Sequence, residues 1–407
     1  MTFACRAFIM EEGRLDDMKF QEANSLEERL QLARKLAERF HERAEAIDRE
    51  GAFPYENIQE LRDTGYTSLT MPRAYGGQEI SLYEMVRLQE MLATGDGSTA
   101  LAIGWHVGTM KSLAEKNSWS EPVFRRLCED VLHRGALING AATEPATGSP
   151  TRGGKFQTTA VWSDGQWVVN GRKTFTTLAP VLDYFLVNVT VPERDRAASI
   201  LVPRSSDGVR IEETWDSVAM RGTGSHDLVL ENVRVDASYL VEWLDAGSKR
   251  ASGWLLHIPA CYLGIAQAAQ SYAIRFARQY APNSLSGGTI IDLPNVQSKI
   301  GEMELELMRS REFLYAIAKR WDESDEEGRN ALKPELGAVK MTVTNAALKV
   351  VDLAMRLVGA HSLSLKNPLQ RYYRDARAGL HNPPMDDMTI QLLARTAVMR
   401  ESNDSSE

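Results

Sequence analysis

AATEPATGS (residues 141–149) and WVVNGRKTFTT (residues 167–177) are the two segments from which the architecture of this 407-residue chain is inferred. The first contains proline, glycine and serine, which interrupt any regular periodicity, so it predicts a loop. The second alternates valine with tryptophan before Asn170-Gly171, which predicts a hairpin that turns at this dipeptide. Together the segments offer hydroxyl groups, backbone N–H groups and one aromatic face, a setting that suits a planar redox-active ring.

The composition is that of an ordinary globular protein, with 43% hydrophobic and 25% charged residues. A chain of this length predicts two or three domains. The net charge of −8 gives no reason to expect nucleic acid or an anionic membrane as a partner. The three cysteines, Cys5, Cys128 and Cys261, suit neither a metal site nor a disulfide framework, so we expect a cytoplasmic protein without a metal. No segment approaches the roughly 20 apolar residues that span a bilayer.

The pattern of apolar residues divides the chain into regions. Residues 1–24 predict a flexible extension, and residues 25–138 predict a helical domain that opens with a capping box at Ser25. Short β-branched runs in residues 139–240 predict a small antiparallel β-domain. Residues 241–407 predict a second helical domain, in which the polar segment 322–334 is expected to be a solvated connection.

The pattern Thr-Glu-Pro-x-x-Gly-Ser followed by Asn-Gly-x-Lys-x-Phe-Thr-Thr resembles the acyl-CoA dehydrogenase superfamily of flavoproteins. RGTGS (residues 221–225) and RDAR (residues 374–377) extend the resemblance, which runs from about Leu26 to Arg400. It implies an α+β fold that is mostly α, with an N-terminal helical domain, a β-barrel-like middle domain and a C-terminal four-helix bundle. In this family the bundle usually pairs subunits into homodimers or homotetramers.

The resemblance implies a flavin cofactor, FAD, with FMN as the alternative. It places Thr143 and Thr177 where backbone and hydroxyl groups hydrogen-bond the flavin ring. Phe175 takes the place of a tryptophan that packs beside the ring, and Gly148 and Ser149 match a loop near ring and substrate. Strand propensity alone is the alternative explanation for the threonines.

Cationic groups are expected near the flavin phosphates. By resemblance, Arg278 lies near the arginine that binds this phosphate in the family. Arg356 precedes Gly359, where the family commonly has a glutamine that reaches the flavin of the other subunit. The alternative for either arginine is a solvated helix face, because arginine is mostly exposed.

Dehydrogenation of an acyl thioester needs a carboxylate that removes the α-proton. At the family's usual glutamate position this chain has Pro383, which offers neither a carboxylate nor an N–H group. Asp386 and Asp387 follow closely and are the candidate bases, although capping of the last helix is the alternative for Asp387. Other family members carry the glutamate at a site that matches Gly253 or Trp254 here.

Two histidines suggest a different reaction. A branch of the superfamily comprises monooxygenases that use reduced flavin and oxygen, and these tend to carry a histidine in the loop that here contains His381. His106 is a second candidate, because an imidazole can exchange a proton near neutral pH. The alternative for each is a core or capping histidine without a chemical role.

We therefore expect a flavin-dependent oxidoreductase that oxidises the α,β carbon–carbon bond of an acyl-CoA thioester. An electron-transfer partner would reoxidise the flavin. The alternative is a monooxygenase that receives reduced flavin from a flavin reductase, and a third hypothesis is a member of the fold without catalysis.

Overall fold

The computed structural model describes residues 18–146, 155–244 and 250–404. In these residues the helices that precede the sheet are α1 (Leu26–Glu50), α2 (Tyr55–Asp63), α3 (Leu82–Ala93), α4 (Gly97–Lys116) and α5 (Glu121–Arg134). The helices that follow it are α6 (His257–Gln279), α7 (Pro294–Glu323), α8 (Glu326–Ala331), α9 (Lys333–Val358), α10 (Pro368–Ala378) and α11 (Asp386–Asp404). The predicted order of helices, sheet and helices is confirmed.

The first helix begins and ends where the sequence predicts. The Ser25 side chain accepts a hydrogen bond from Glu28 N at 3.2 Å, and Gly51 ends α1 in a left-handed conformation with φ of 66°. The reciprocal bond of a capping box is shifted by one residue, because the Glu28 carboxylate accepts from Asn24 N at 2.7 Å. Both arrangements satisfy N–H groups that the first helical turn leaves unpaired.

The middle region forms one mixed sheet. Its strands are β1 (Ile138–Ala141), β2 (Thr159–Ser163), β3 (Gln166–Thr176), β4 (Tyr184–Val191), β5 (Arg196–Pro203), β6 (Val209–Glu212), β7 (His226–Asp236) and β8 (Leu240–Leu244). Their order is β6-β7-β3-β2-β4-β5-β8, with β1 beside β4. Most pairs are antiparallel as predicted, whereas β1 and β2 each run parallel to β4.

The hairpin predicted at Asn170-Gly171 is wrong, because β3 continues through this dipeptide. The register against β7 shifts between Val169 and Gly171, and Asn170 Oδ1 accepts a hydrogen bond from Asn232 N at 2.8 Å. Asn-Gly therefore serves as an irregularity inside a paired strand rather than as a turn.

The turn lies earlier, at Asp164-Gly165, where φ is 54° and 80°. This dipeptide connects β2 to β3, and its positive φ values suit a tight hairpin turn. Trp162 and Trp167 pair directly across it with ring centroids 5.1 Å apart. The aromatic pair and the Asp-Gly turn together set the register.

The solvated connection predicted for residues 322–334 is mostly exposed, but it contains a short helix that the sequence did not predict. Asp325 caps the short helix α8 by accepting from Gly328 N at 2.9 Å, and α9 begins at Lys333 with Pro334 in its first turn. Asp322 at the end of α7 accepts from Leu82 N and Tyr83 N, at 2.7 and 2.9 Å, and so caps α3. These acidic residues satisfy helix termini instead of facing solvent alone.

The C-terminal helices α6, α7, α9 and α10 pack as a four-helix bundle, which confirms the predicted fold class. Helix α3 packs against α6 and α7, so the N-terminal region adjoins the bundle. One apolar core extends through all three regions and includes Leu36, Val187 and Val343. Within the described residues, no helix combines the length and apolar character needed to cross a membrane.

Candidate active site

The structure brings the two predicted flavin-binding segments together. Thr174 N donates to Thr143 O at 2.9 Å, so the loop after β1 lies against the end of β3. The Asn139 side chain donates from Nδ2 to Thr177 O at 3.0 Å and so holds the residue that follows β3. Gly148 and Ser149 lie outside the described residues.

A chain of hydroxyl groups holds Thr177 in place. Its Oγ1 lies 2.9 Å from Ser225 Oγ, which in turn lies 2.8 Å from Thr223 Oγ1. Thr223 Oγ1 also donates to Met220 O at 3.0 Å. The RGTGS segment therefore supports Thr177, a connection that sequence spacing alone does not reveal.

Phe175 has an unusual conformation for a strand residue. Its backbone lies in the left-handed region with φ of 55°, and the residue is 64% exposed. Its only described ring partner is Trp215, at 6.0 Å in an edge arrangement. A left-handed backbone costs roughly 1–2 kcal/mol for a residue with a side chain, so a functional reason for this conformation is expected.

These groups fit a flavin. Phe175 offers an exposed aromatic ring, Thr177 N donates to its carbonyl at 3.0 Å, and the half-buried Thr143 lies on the adjoining loop. Thr176 Oγ1 is buried without a hydrogen-bond partner among the described residues, and a Cβ on Gly140 would meet nothing within 4 Å. An exposed aromatic ring on a segment that also carries hydroxyl and backbone polar groups suits a planar polar ring.

A buried ion pair that the sequence analysis missed lies beneath this site. Lys173 Nζ lies 2.6 Å from Glu144 Oε1, and the two side chains are 0% and 1% exposed. Burial disfavours the charged carboxylate, but hydrogen bonds from Lys173, Thr158 and Gln157 outweigh it and lower the Glu144 pKa to about 2. Alternation along β3 places Lys173 on the same face as the buried Val169. A lysine in this apolar register is the feature of the sequence that indicates a buried ion pair.

His106 has a structural environment. It is fully buried on α4, its Nε2 lies 3.0 Å from Thr67 O, and its Nδ1 accepts from Ile138 N at 3.1 Å. Burial lowers its pKa to about 4, so the ring is neutral at physiological pH. Both ring nitrogens bind backbone groups, which leaves neither for a substrate, and we do not propose His106 as catalytic.

The candidate bases lie after α10. His381 is exposed at the end of a short 3₁₀ helix, Gly379–His381. Asp386 accepts from Asn345 Nδ2 at 2.8 Å and lies 3.5 Å from Lys340 Nζ, whereas Asp387 is exposed and accepts from Met388 N at 2.9 Å. Asp386 is therefore held by α9, and Asp387 and His381 are the more accessible groups.

The predicted phosphate-binding residues do not all lie together. Arg356 and Gly359 line a groove of about 650 Å³ at the end of α9, where Arg356 also pairs with Asp352 at 2.6 Å. Arg278 is exposed at the end of α6 and is not part of this groove. Gly359 has a positive φ of 72° and open space at its Cβ position.

Models of known protein families match each of the three regions of the chain. Residues 25–116 match the family described as acyl-CoA dehydrogenase, N-terminal domain. Residues 139–233 match the acyl-CoA dehydrogenase middle domain, and residues 256–380 match its C-terminal domain.

Individual relatives cover most of the chain. A Bacillus subtilis (strain 168) protein named "Putative acyl-CoA dehydrogenase YdbM" is 55% identical over 365 residues, which is 89% of this chain and 94% of that protein. L-evernosamine nitrososynthase of Micromonospora sp. is 30% identical over 83% of this chain and 82% of its own length. Dibenzothiophene monooxygenase of Rhodococcus erythropolis is 27% identical over 86% and 89%.

Solved structures have the same fold. Butyryl-CoA dehydrogenase from Megasphaera elsdenii matches with a TM-score of 0.81 and 20% identity over 94% of this chain and 100% of that one. KijD3 in complex with FMN and a dTDP-linked amino sugar matches with a TM-score of 0.81 and 23% identity over 92% and 94%. With a relative at 55% identity and all three domain families matched, the chain belongs to the acyl-CoA dehydrogenase superfamily of flavoproteins.

Proposed function

We propose that this flavoprotein oxidises the α,β carbon–carbon bond of an acyl-CoA thioester. The observation that carries the proposal is the exposed face of Phe175 beside the hydroxyl of Thr177, at the point where the two segments meet. The 55% identical Bacillus subtilis protein, named as a putative acyl-CoA dehydrogenase, supports this reaction class. When bound, the flavin would supply the acceptor for the hydride that leaves the β-carbon.

The residues of this chain would bind and orient the reactants. Phe175 would cover one face of the ring, and Thr143 and Thr177 would hydrogen-bond its edge. Arg278 and Arg356 would bind phosphate groups, with Gly359 leaving room for them. We propose FAD as the cofactor, with FMN as the alternative that KijD3 supports.

The α-proton needs an acceptor on this chain. Asp387 is exposed and makes only a local backbone bond, whereas Asp386 is half-buried and lies 3.5 Å from Lys340 Nζ. We propose these carboxylates as the candidate bases, since Pro383 occupies the usual position. If Asp386→Asn and Asp387→Asn each leave reduction of bound flavin by acyl-CoA unchanged under anaerobic conditions, neither is the base.

A monooxygenase is the second candidate. The exposed His381 in the loop that lacks the glutamate favours it, and the similarity to a dibenzothiophene monooxygenase supports it. The purified protein, supplied with reduced flavin from a flavin reductase, would then consume oxygen only when its substrate is present. The His381→Ala variant should lose this coupling, and unchanged coupling would remove His381 from the mechanism.

The two candidates give opposite results in one experiment. An acyl-CoA dehydrogenase reduces its flavin when acyl-CoA is added without oxygen, and an artificial electron acceptor reoxidises it. A monooxygenase shows no reduction by acyl-CoA and requires an external reductant. Neither response, with flavin still bound, would support the non-catalytic hypothesis.

We also propose a homodimer or homotetramer. Exposed apolar side chains on α7 and α11 are typical of surfaces that other subunits cover. They are Leu305, Met308, Ile390, Val398 and Met399. Light scattering on the purified protein measures the mass directly, and a monomer at micromolar concentration would contradict the proposal.

A further inference from the structure

The loop between β6 and β7, residues 213–225, brings Trp215 against Phe175. The two ring centroids are 6.0 Å apart, and the ring planes meet at 75° in an edge arrangement. Trp215 is half-buried, whereas Phe175 is exposed. Since Trp215 is the aromatic partner of Phe175 among the described residues, it is the ring that can fix the direction of the Phe175 side chain.

Phe175 needs such a neighbour because it lies in an irregular part of β3. The register of β3 against β7 shifts between Lys173 and Thr176, and Phe175 has its left-handed φ of 55° inside this shift. An irregularity of this kind turns a side chain away from the direction that regular alternation along the strand would give it. The strand alone therefore does not set the direction of the Phe175 ring.

Trp215 is held at two points. Its backbone N donates to His226 Nδ1 at 3.0 Å, and His226 pairs with Thr176, the residue that follows Phe175. Its indole Nε1 donates to Met220 O at 3.1 Å. The backbone and the ring of Trp215 are thus both fixed by groups close to the end of β3.

The bond to His226 requires an Nδ1 atom that carries no proton. Burial lowers the His226 pKa, although the charges of Glu213 and Asp227 oppose this shift, so the ring is neutral near pH 7 and Nδ1 can accept. Thr214 Oγ1 accepts from Asp227 N at 3.1 Å, which adds a second bond between the loop and the start of β7.

The same loop connects Trp215 to Thr177. Met220 O accepts hydrogen bonds from Trp215 Nε1 and from Thr223 Oγ1, at 3.1 and 3.0 Å. Thr223 Oγ1 lies 2.8 Å from Ser225 Oγ, which lies 2.9 Å from Thr177 Oγ1. One backbone carbonyl therefore joins the indole to the chain of hydroxyl groups that holds Thr177.

We propose that Trp215 is a positioning residue for the flavin, because its ring holds the Phe175 ring in the direction that binds the cofactor. This inference rests on the flavin site that the proposed function assigns to Phe175 and Thr177. An edge contact between aromatic rings stabilises their arrangement beyond the effect of the area that it buries. A ring that is already fixed loses less freedom when the cofactor binds, which strengthens binding.

Titration of the full-length apoprotein with FAD and, separately, with FMN tests the role of Trp215, with flavin fluorescence as the signal. Trp215→Leu removes the ring, and we expect flavin affinity to fall by about two- to tenfold. Trp215→Phe keeps a ring beside Phe175 and should retain most of the affinity. Trp162→Leu is the matched control, because Trp162 is also exposed and makes an edge contact with Trp167 on the same sheet, and it should bind flavin like the wild type.

The double variant Phe175→Gly/Trp215→Leu shows whether Trp215 acts through Phe175. When Phe175 is absent, the loss of Trp215 should reduce affinity no further, so the double variant should bind flavin like Phe175→Gly. Losses that multiply would mean that Trp215 acts on the flavin independently, and they would overturn the positioning role. Equal losses in Trp215→Leu and Trp215→Phe would overturn it as well, because the aromatic ring would then have no effect.

The same titrations separate this inference from the proposed flavin site. An unchanged affinity in Trp215→Leu together with a loss in Phe175→Gly would overturn the inference and leave the site standing. An unchanged affinity in both variants would overturn the site, and the inference with it. If urea unfolding shows that Trp215→Leu does not fold, Trp215→Met, which keeps more apolar volume without a ring, takes its place with the same expected results.

Discussion

Phe175 combines an unfavourable backbone with an uncovered aromatic ring, and we predict that the flavin explains both features. Phe175→Gly removes the strain of the left-handed backbone but also loses the contact with Trp215. We expect the free energy of unfolding of the apoprotein to change by less than about 1 kcal/mol. Flavin affinity should fall by about tenfold or more, as fluorescence titration would measure.

The control for this variant is Val161→Thr, which alters another exposed apolar residue on the sheet. It should leave flavin affinity unchanged. An unaltered affinity in Phe175→Gly would mean that the ring binds elsewhere, and the proposed function would lose its main support.

The buried pair of Glu144 and Lys173 gives a second prediction at the scale of single residues. Lys173→Met leaves a carboxylate buried without its partner, which should reduce the free energy of unfolding by about 3–5 kcal/mol. The double variant Glu144→Gln/Lys173→Met removes both charges and should recover much of this loss. Chemical denaturation of the single and double variants measures the coupling, and additive effects would show that the pair contributes nothing specific.

The sequence predicted that the two segments adjoin, but it did not predict which residues hold them together. Thr143 and Thr177 were predicted as neighbours and do lie on adjoining segments. Ser225 and Asn139, which hold Thr177, are far away in sequence and belong to no local pattern. Such contacts depend on tertiary packing, which periodicity does not encode.

At the scale of elements, the crossing of α3 and α6 depends on a glycine. A Cβ on Gly264 would lie 2.2 Å from Glu90 O and 2.7 Å from Ala93 Cβ, which real contacts do not permit. Gly264→Ala should therefore push the helices apart and reduce the free energy of unfolding by about 1–3 kcal/mol.

Gly301 on α7 provides the matched comparison, because a Cβ there would meet nothing within 4 Å. Gly301→Ala improves helix propensity without a clash and should raise the free energy of unfolding by about 0.5–1 kcal/mol. Urea unfolding of both variants tests the pair, and effects of equal sign would contradict the close crossing.

The boundaries of elements were predicted correctly where capping residues mark them. The prediction was wrong where residues typical of turns lie inside a strand. Ser25 and Gly51 bound α1 as expected. Asn170-Gly171 has the composition of a turn, but the hairpin that joins β2 to β3 turns at Asp164-Gly165 instead. The pairing of β3 with β2 and β7 determines which of the two dipeptides forms the turn. This pairing cannot be read from the local sequence.

At the scale of the whole molecule, the RDAR segment connects all three regions. Arg374 binds Asp48 of α1 and donates to Val218 O at 2.6 Å, while Asp375 accepts from Met220 N at 2.6 Å. The Met220 carbonyl in turn accepts from Thr223, whose hydroxyl reaches Thr177 through Ser225. The bundle therefore positions the loop that supports the proposed flavin site.

This connection predicts a pH dependence. Asp375 has its pKa raised by burial from 3.8 to about 7, so the folded protein favours the uncharged carboxyl more than the unfolded chain does. Its contribution to stability is complete below pH 3.8, declines as the pH rises through about 7, and is constant above that. Asp375→Asn keeps an acceptor for Met220 N but cannot ionise.

The difference in free energy of unfolding between Asp375→Asn and the wild type should therefore grow in favour of the variant as the pH rises from about 4 to about 7, then level off. Urea denaturation across this range measures it. A difference that stays constant with pH would mean that Asp375 titrates normally and is not desolvated.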